Sequence, residues 1–506
     1  MNSLNIALTT ASYAWKNFLN QEKYPFVPVN SKAGNIDHPL IICDSTSELS
    51  FDDVELAVQN GSVAIVTSLY YSLHFTSSLF SEHVHTLYPD RNSIFAGLEA
   101  LELNCYIFYI PTLNWLDKNL RIAQQKHGKG FFIILPFELD DPLSNYEIKR
   151  KKFYDTRKEL PSERVALIGK GFMREALNII IAHSYELHNL PLIKLNYYPG
   201  CWDNIFCFRI DTDFCSEAQA RNLYQLCQKY EVKATWFVDT QNSTRLKECY
   251  AKFENQEIGL HCYRHLVFDD LEMNQDNIRK GVEALKEAGL AAAGFAAPYG
   301  EWNESLDVAL QEYGFLYSSE FGYDYDNLPS KPTTESPWQI PVHPVSFGRL
   351  RRSHYAYEEM KAYFRQVVEH HLNRRIPVIF YYHPHRELLE LIEAIFRDIK
   401  EKDIPILSMQ EYAQWWQYRN SINYRAYEDN GRLLIESEFE PQQVGIFLKT
   451  KDRVAFHDFV KSLDLKELYW KSEKKYSVPL DYERINKFSW RDLLYDYESQ
   501  KGKRKQ

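Results

Sequence analysis

Four short stretches in the middle of this 506-residue chain hold residue types that can do chemistry, each at the point where an apolar run ends. Asp211-Thr212-Asp213 closes the run IFCFRID. On a strand, residues i and i+2 share a side, so both carboxylates face one site while Thr212 faces away. Two carboxylates in a dry mouth invite a cation or a shared proton; a strand-end turn or a helix cap is the plainer alternative. His261 and His265, in EIGLHCYRH, stand four residues apart, and two imidazoles converge on one metal if the chain turns directly after the strand. Pro298-Tyr299-Gly300 marks a turn that can aim a backbone N–H at a substrate oxygen, as acyl transfer requires. His383, which ends the apolar run of VIFYYHPHRE, is suited to proton transfer near neutrality, and His385 is eligible on the same ground.

The elements that must position these residues alternate strand and helix. Apolar runs occur at 205–210, 234–238, 258–260, 291–297, 315–317, 378–382 and 404–407, with helical patterns at 216–230, 275–288, 357–374 and 387–402. About seven such units imply a parallel sheet curling into a (β/α)7-type deformed barrel, and in that architecture chemistry sits on loops at the strands' C-terminal ends. The four stretches above fall there. Residues 1–195 read as a separate α/β block, with strands at 39–43, 62–67 and 131–136 and a helix at 51–59 closed by Asn60-Gly61. It contains no GxGxxG, no P-loop and no nucleophile elbow. Residues 196–204, with Pro199-Gly200, read as a linker. The segment 422–506 reads as a small β-rich appendage with a basic, disordered tail at 501–505.

Composition narrows the function classes. The chain is 45% hydrophobic and 25% charged with a net charge of −10, an ordinary globular mixture and a poor match for a protein built to grip nucleic acid. The start lacks the charged and apolar regions of a signal peptide and no run approaches a membrane span, so a cytoplasmic location and reduced, structural cysteines are expected. The 35 Tyr and 30 Phe suit deep clefts or flat contact surfaces as well as core.

Taken in order, Asp-x-Asp after the first strand, His-x-x-x-His after the third, Pro-Tyr-Gly after the fourth and His-Pro after the penultimate strand resemble the successive motifs of the polysaccharide deacetylase family, the NodB homology domain. The resemblance spans about residues 203–421, which it marks as the catalytic barrel. The first block is similar to the flavodoxin-like domains related to class I glutamine amidotransferases, without their catalytic cysteine, and is expected to be non-catalytic. The deacetylase resemblance implies Asp211 as catalytic base, Asp213, His261 and His265 as ligands of a divalent cation with zinc first among them, the Tyr299 N–H as oxyanion donor and His383 as general acid. It implies hydrolysis of an N- or O-acetyl group on a carbohydrate or glycoconjugate by metal-activated water.

The sequence departs from the family at two points. Thr212 separates two aspartates that usually adjoin, and the arginine that usually holds the catalytic Asp falls at Ala296. Arg209, two residues before Asp211 on the same strand face, is offered as its replacement. Asp324 and Asp326 are the positions that could match the family's further Asp. Trp302, Tyr323 and Tyr325 are expected to stack on a sugar, and Trp236 to pack in the core. Two other readings stay open: a degenerate glycan-binding domain, which Ala296 favours, and a sugar-nucleotide transferase using Asp-x-Asp, which leaves the histidines unexplained.

Overall fold

The structure, a computed structural model, describes residues 1–473 except 31–36, 76, 154–159, 243–246 and 387, with five isolated positions between 485 and 497. The basic tail at 501–505 lies outside the described residues. Contacts divide the chain into two compact units, one of residues 1–145, 172–202 and 417–478, the other chiefly of 146–171 and 203–416. These units cut across the three consecutive blocks expected from sequence.

In the first unit, Ile6–Leu8, Phe26–Pro28, Leu40–Ile42, Val63–Thr67 and Gly130–Leu135 form a parallel sheet in the spatial order second, first, third, fourth, fifth, the flavodoxin-like order. Ile122–His127 and Trp115–Asp117 extend it antiparallel. Short Val/Ile runs buried on both faces suit such a sheet. The helix Phe51–Asn60 starts at the Ser50 side chain and ends at Gly61, whose φ of 132° lets its N–H return to the Ala57 carbonyl. The β-rich C-terminal segment does not stand as an appendage. Its strand Val444–Thr450 pairs with Leu192–Pro199, and Tyr424–Asp429 pairs with Asn2–Ser3. A strand edge needs a partner for its N–H and C=O groups, and here the partners come from the opposite end of the sequence. Part of the expected linker at 196–204 is therefore strand.

The second unit carries seven parallel strands: β1 (Phe206–Asp211), β2 (Thr235–Val238), β3 (Glu257–Leu260), β4 (Gly294–Phe295), β5 (Tyr317–Ser318), β6 (Trp338–Gln339) and β7 (Val378–Tyr382). They lie in the order β6-β5-β4-β3-β2-β1-β7. The His343 N–H, just past β6, donates to the Ile379 carbonyl of β7 at 2.9 Å, so the sheet curls back toward its other edge. This is the expected deformed barrel, with two strand assignments changed. Residues 404–407 make only an isolated bridge from Ile406 to Phe206, because Pro405 has no N–H to give a ladder. β6 was not anticipated; two residues between Pro337 and Pro341 carry no period to read. Helices follow the strands on side-chain caps, Ser216 with a capping box for Glu217–Lys229 and Asp270 for Leu271–Glu287. Trp236 on β2 is fully buried.

A hairpin from far upstream belongs to this unit. Ile148–Lys152 and Ser162–Ala166 pair antiparallel, and the Ala166 N–H donates to the Phe321 carbonyl beyond β5 at 2.9 Å.

The barrel is tight where β4 runs beside β5. A Cβ on Gly294 would lie 2.0 Å from Tyr317 Cζ, and the Tyr317 hydroxyl is anchored on Glu257 Oε1 at 2.5 Å. Gly294→Ala is expected to cost about 2 kcal/mol or more, read as a lower urea midpoint at unchanged slope.

Candidate metal centre and cleft

β1 ends on Asp211, and the carbonyl of Phe237 on β2 accepts the Thr212 N–H at 3.1 Å. The Thr212 hydroxyl accepts the Asp239 N–H at 3.1 Å. Thr212 is thereby turned toward β2, which leaves Asp211 and Asp213 on the other side, as strand alternation requires. Both aspartates are buried.

Each carboxylate has its own nitrogen partners. Arg209 holds Asp211 with two parallel bonds, Nε to Oδ1 at 2.7 Å and Nη2 to Oδ2 at 2.8 Å, and its Nη1 donates to Ser319. Burial pushes the Asp211 carboxyl up, and Arg209 with His261 outweighs it, so the group is held below its ordinary range. Arg209 is thus the charged partner of Asp211, and residue 296 is an alanine.

Asp213 faces two imidazoles, with His261 Nε2 2.9 Å from Oδ1 and His265 Nε2 3.0 Å from Oδ2. His261 Nδ1 lies 2.7 Å from the carbonyl of Ala296, which can only accept, so Nδ1 carries the hydrogen. A neutral His261 then turns a bare lone pair on the carboxylate, and Asp213 Oδ1, buried, has no hydrogen-bond donor among the described residues. Two acceptors at that distance need a cation between them, a proton or a metal ion. In the absence of metal, burial lowers the His261 value and Asp213 overrides it, raising it to about 9. The donor set of one carboxylate and two imidazoles, with one imidazole oriented by a backbone carbonyl, fits a divalent transition metal with open positions.

His383, one residue past β7, points Nε2 at both carboxylates, 3.6 Å from Asp213 Oδ2 and 4.0 Å from Asp211 Oδ2. Burial lowers it to about 4. His385 Nδ1 lies 2.9 Å from the Asp213 carbonyl. Tyr299 sits at φ 59°, ψ 11° in the Pro298–Gly300 turn, with its ring 5.1 Å from that of His265. Asp211, Asp213, His261, His265, Tyr299 and His383 all line one cleft of about 570 Å³.

Three expected sugar-stacking residues do not line this cleft. Trp302 and Tyr323 pack on each other with centroids 5.1 Å apart, and Tyr325 takes a hydrogen bond from Lys151 at 3.0 Å; all three are buried. The exposed aromatics at the cleft are instead Phe214 and Tyr299, 74% and 58% accessible. Phe214 has φ 53°, a left-handed conformation that swings its ring out beside His265 and His385. No sequence signal marked it beyond its place next to Asp213. Asp324 and Asp326 are also committed elsewhere. Asp324 accepts the Lys170 N–H at 3.1 Å, and Asp326 lies 3.0 Å from His343 Nδ1 and 3.2 Å from His371 Nε2 in a second buried Asp-His-His group. Burial raises the Asp326 carboxyl, and His343 and His371 bring it well below the carboxylate range.

Residues 210–318 match the family model described as polysaccharide deacetylase. The chain carries a polysaccharide deacetylase domain. Among solved structures, a protein named a polysaccharide deacetylase from Mycobacterium smegmatis aligns at 18% identity and TM-score 0.37, covering 44% of this chain and 92% of that one. One from Pseudomonas aeruginosa PAO1 aligns at 17% and 0.37, covering 44% and 93%. A family 4 carbohydrate esterase from Streptomyces lividans, in complex with acetate, aligns at 14% and 0.30, covering 41% and 93%. No curated protein matches. Among the described residues no helix is long and apolar enough to cross a membrane.

Glu320, just past β5, is one of several buried acids that sequence reading passed over. Glu320 accepts the Ala297 N–H at 3.1 Å and the Ser318 hydroxyl at 2.7 Å, and burial raises it to about 7 from an ordinary 4.5. Because the folded value is the higher one, its stabilising contribution is complete below about 4.5 and is lost as pH rises to about 7. Glu320→Gln escapes that loss. Its stability relative to the parent is expected to grow by about 3 kcal/mol between pH 4.5 and 8 in urea titrations. His261→Ala is expected to lower the metal content of the dialysed protein by about one ion per chain in elemental analysis; an unchanged content would overturn the ligand assignment.

Proposed function

We propose that this domain hydrolyses an N- or O-acetyl group on a carbohydrate or glycoconjugate, with a divalent cation, zinc first among candidates, held by Asp213, His261 and His265. The reading is carried by one observation: an arginine-braced carboxylate, Asp211, stands beside the Asp-His-His group with His383 facing both.

Such a cation supplies Lewis acidity, which polarises the acyl carbonyl and acidifies water. The rest of the work falls to the chain. Asp211, kept ionised by Arg209, takes a proton from the attacking water. The Tyr299 backbone N–H, in its left-handed turn at the cleft, donates to the developing oxyanion. His383, lowered to about 4 and so neutral before the attack, has Nε2 4.0 Å from Asp211 Oδ2; it takes over the proton that Asp211 drew from the water and delivers it to the leaving nitrogen or oxygen. Phe214 and Tyr299 offer ring faces to the sugar.

The degenerate, glycan-binding reading rests on Ala296, and the bidentate Arg209–Asp211 pair weakens it. Acetate release from acetylated amino sugars, before and after chelation and metal restoration, tests the proposal. Chelator-sensitive release is expected, and His383→Ala should lower kcat about 100-fold or more. Bound metal without turnover would leave the glycan-binding reading, and manganese-dependent cleavage of a sugar nucleotide would favour a transferase.

A further inference from the structure

A second set of metal-ligating side chains sits where the barrel closes. β6 and β7 are the two ends of the curled sheet. Bonds such as that from the His343 N–H to the Ile379 carbonyl and that from the Tyr381 hydroxyl to the Pro344 carbonyl, both 2.9 Å, span the gap between them. Three elements bring one ligand each to this seam: Asp326 comes from the stretch between β5 and β6, His343 from just past β6, and His371 from the last turn of the helix Tyr357–Arg374. Their side chains are 8%, 0% and 1% accessible, and none of them lines the cleft.

The hydrogens of this group can be assigned from its neighbours. His371 Nδ1 lies 2.8 Å from the carbonyl of Pro377, which can only accept, so Nδ1 carries the hydrogen. A neutral His371 then presents a lone pair at Nε2, 3.2 Å from Asp326 Oδ1. A protonated His371 would direct an N–H at that oxygen, yet Nε2 is buried and makes no hydrogen bond among the described residues. Two buried acceptors so placed need a cation between them. His343 Nδ1 lies 3.0 Å from Asp326 Oδ1 and 3.2 Å from Oδ2, while its Nε2 is 3.0 Å from the Tyr363 hydroxyl, which can accept a hydrogen from Nε2 and leave a lone pair at Nδ1. Each imidazole therefore has its outer nitrogen on an oxygen, the arrangement that orients metal-bound histidines and that the Ala296 carbonyl provides for His261.

The spacing fits an ion. Ligand atoms on a tetrahedral ion with bonds of about 2.0–2.1 Å stand roughly 3.3 Å apart. Here Asp326 Oδ1 is 3.0 and 3.2 Å from the two imidazoles, and the three ligand atoms lie within 4.8 Å of one another. Two imidazoles with one carboxylate suit a divalent transition ion, whereas calcium and magnesium take shells of oxygen. We infer that Asp326, His343 and His371 form a second metal site, for zinc or a similar divalent transition ion, which staples the β5–β6 segment and the helix Tyr357–Arg374 to the end of β6 where the barrel closes. Its burial away from the cleft makes it a structural site, and it stands independently of the deacetylase reading.

Elemental analysis of the full chain, loaded with zinc and dialysed, reads the site. The parent is expected to hold about two ions per chain, and His261→Ala, which breaks the cleft group alone, about one. Adding Asp326→Asn keeps an oxygen for His343 but gives up the charge, and should bring the count near zero. Zinc X-ray absorption on His261→Ala needs no second substitution and is expected to show two imidazole nitrogens and a carboxylate oxygen at about 2.0–2.1 Å, without sulfur. Because a closed site exchanges as the chain unfolds, His261→Ala melted in chelator should show a thermal midpoint about 5 °C or more below the same protein melted in zinc. A folded His261→Ala chain with near-zero metal, an ion retained after Asp326→Asn, or a shell without the two imidazoles overturns the site, and equal midpoints overturn the staple. None of these readouts uses acetate release, so failure of the deacetylase reading would leave the second site standing.

Discussion

Two carboxylates two residues apart, both removed from water, can remain ionised only if positive charge is brought to each. That constraint organises the deacetylase domain. Arg209 meets Asp211 from the same strand, and the imidazoles of His261 and His265 meet Asp213 from the end of β3. The carbonyl of Ala296, at the end of β4, fixes which nitrogen of His261 faces the carboxylate. Three strands therefore have to be in register before the Asp213 group can exist, and the glycines of β3 and β4 are the positions that let Phe237 and Tyr317 close in behind it.

The same constraint is met at Asp211 from within its own strand. A buried Asp without a cation would take up a proton. Arg209, two residues earlier, reaches the carboxylate, buried with it and anchored by Ser319. A guanidinium has five donors in a rigid fork, so it can bridge Asp211 and Ser319 at once, which a lysine could not do. Glu320 nearby is the counterpart: with neighbouring hydroxyl and amide donors in place of a full countercharge, burial wins and its carboxyl rises to about 7.

Aromatic side chains divide between core and cleft. Most of the 35 tyrosines and 30 phenylalanines have to be spent on core and on hydrogen bonds inside it, and only Phe214 and Tyr299, both in left-handed backbone, present broad ring surface at the cleft.

Period and spacing along the chain were enough to determine the strand-helix alternation, the curled parallel sheet and the strand ends carrying Asp211, Asp213, His261, His265 and His383, because alternation on a strand and the turn after it are local matters. Arg209 was legible for the same reason, being two residues from its partner. What the sequence could not decide was anything that depends on residues distant in the chain. Trp302, Tyr323 and Tyr325 lie near the motifs yet turn inward, Trp302 and Tyr323 onto each other and Tyr325 onto Phe153, since their large apolar faces gain more from such contacts than from water. β6 is too short to show a period. The C-terminal strands found their partners at residues 2–3 and 192–199, and the paired strands Ile148–Lys152 and Ser162–Ala166 came to the cleft from outside the matched region, because pairing is set by which surfaces meet in three dimensions.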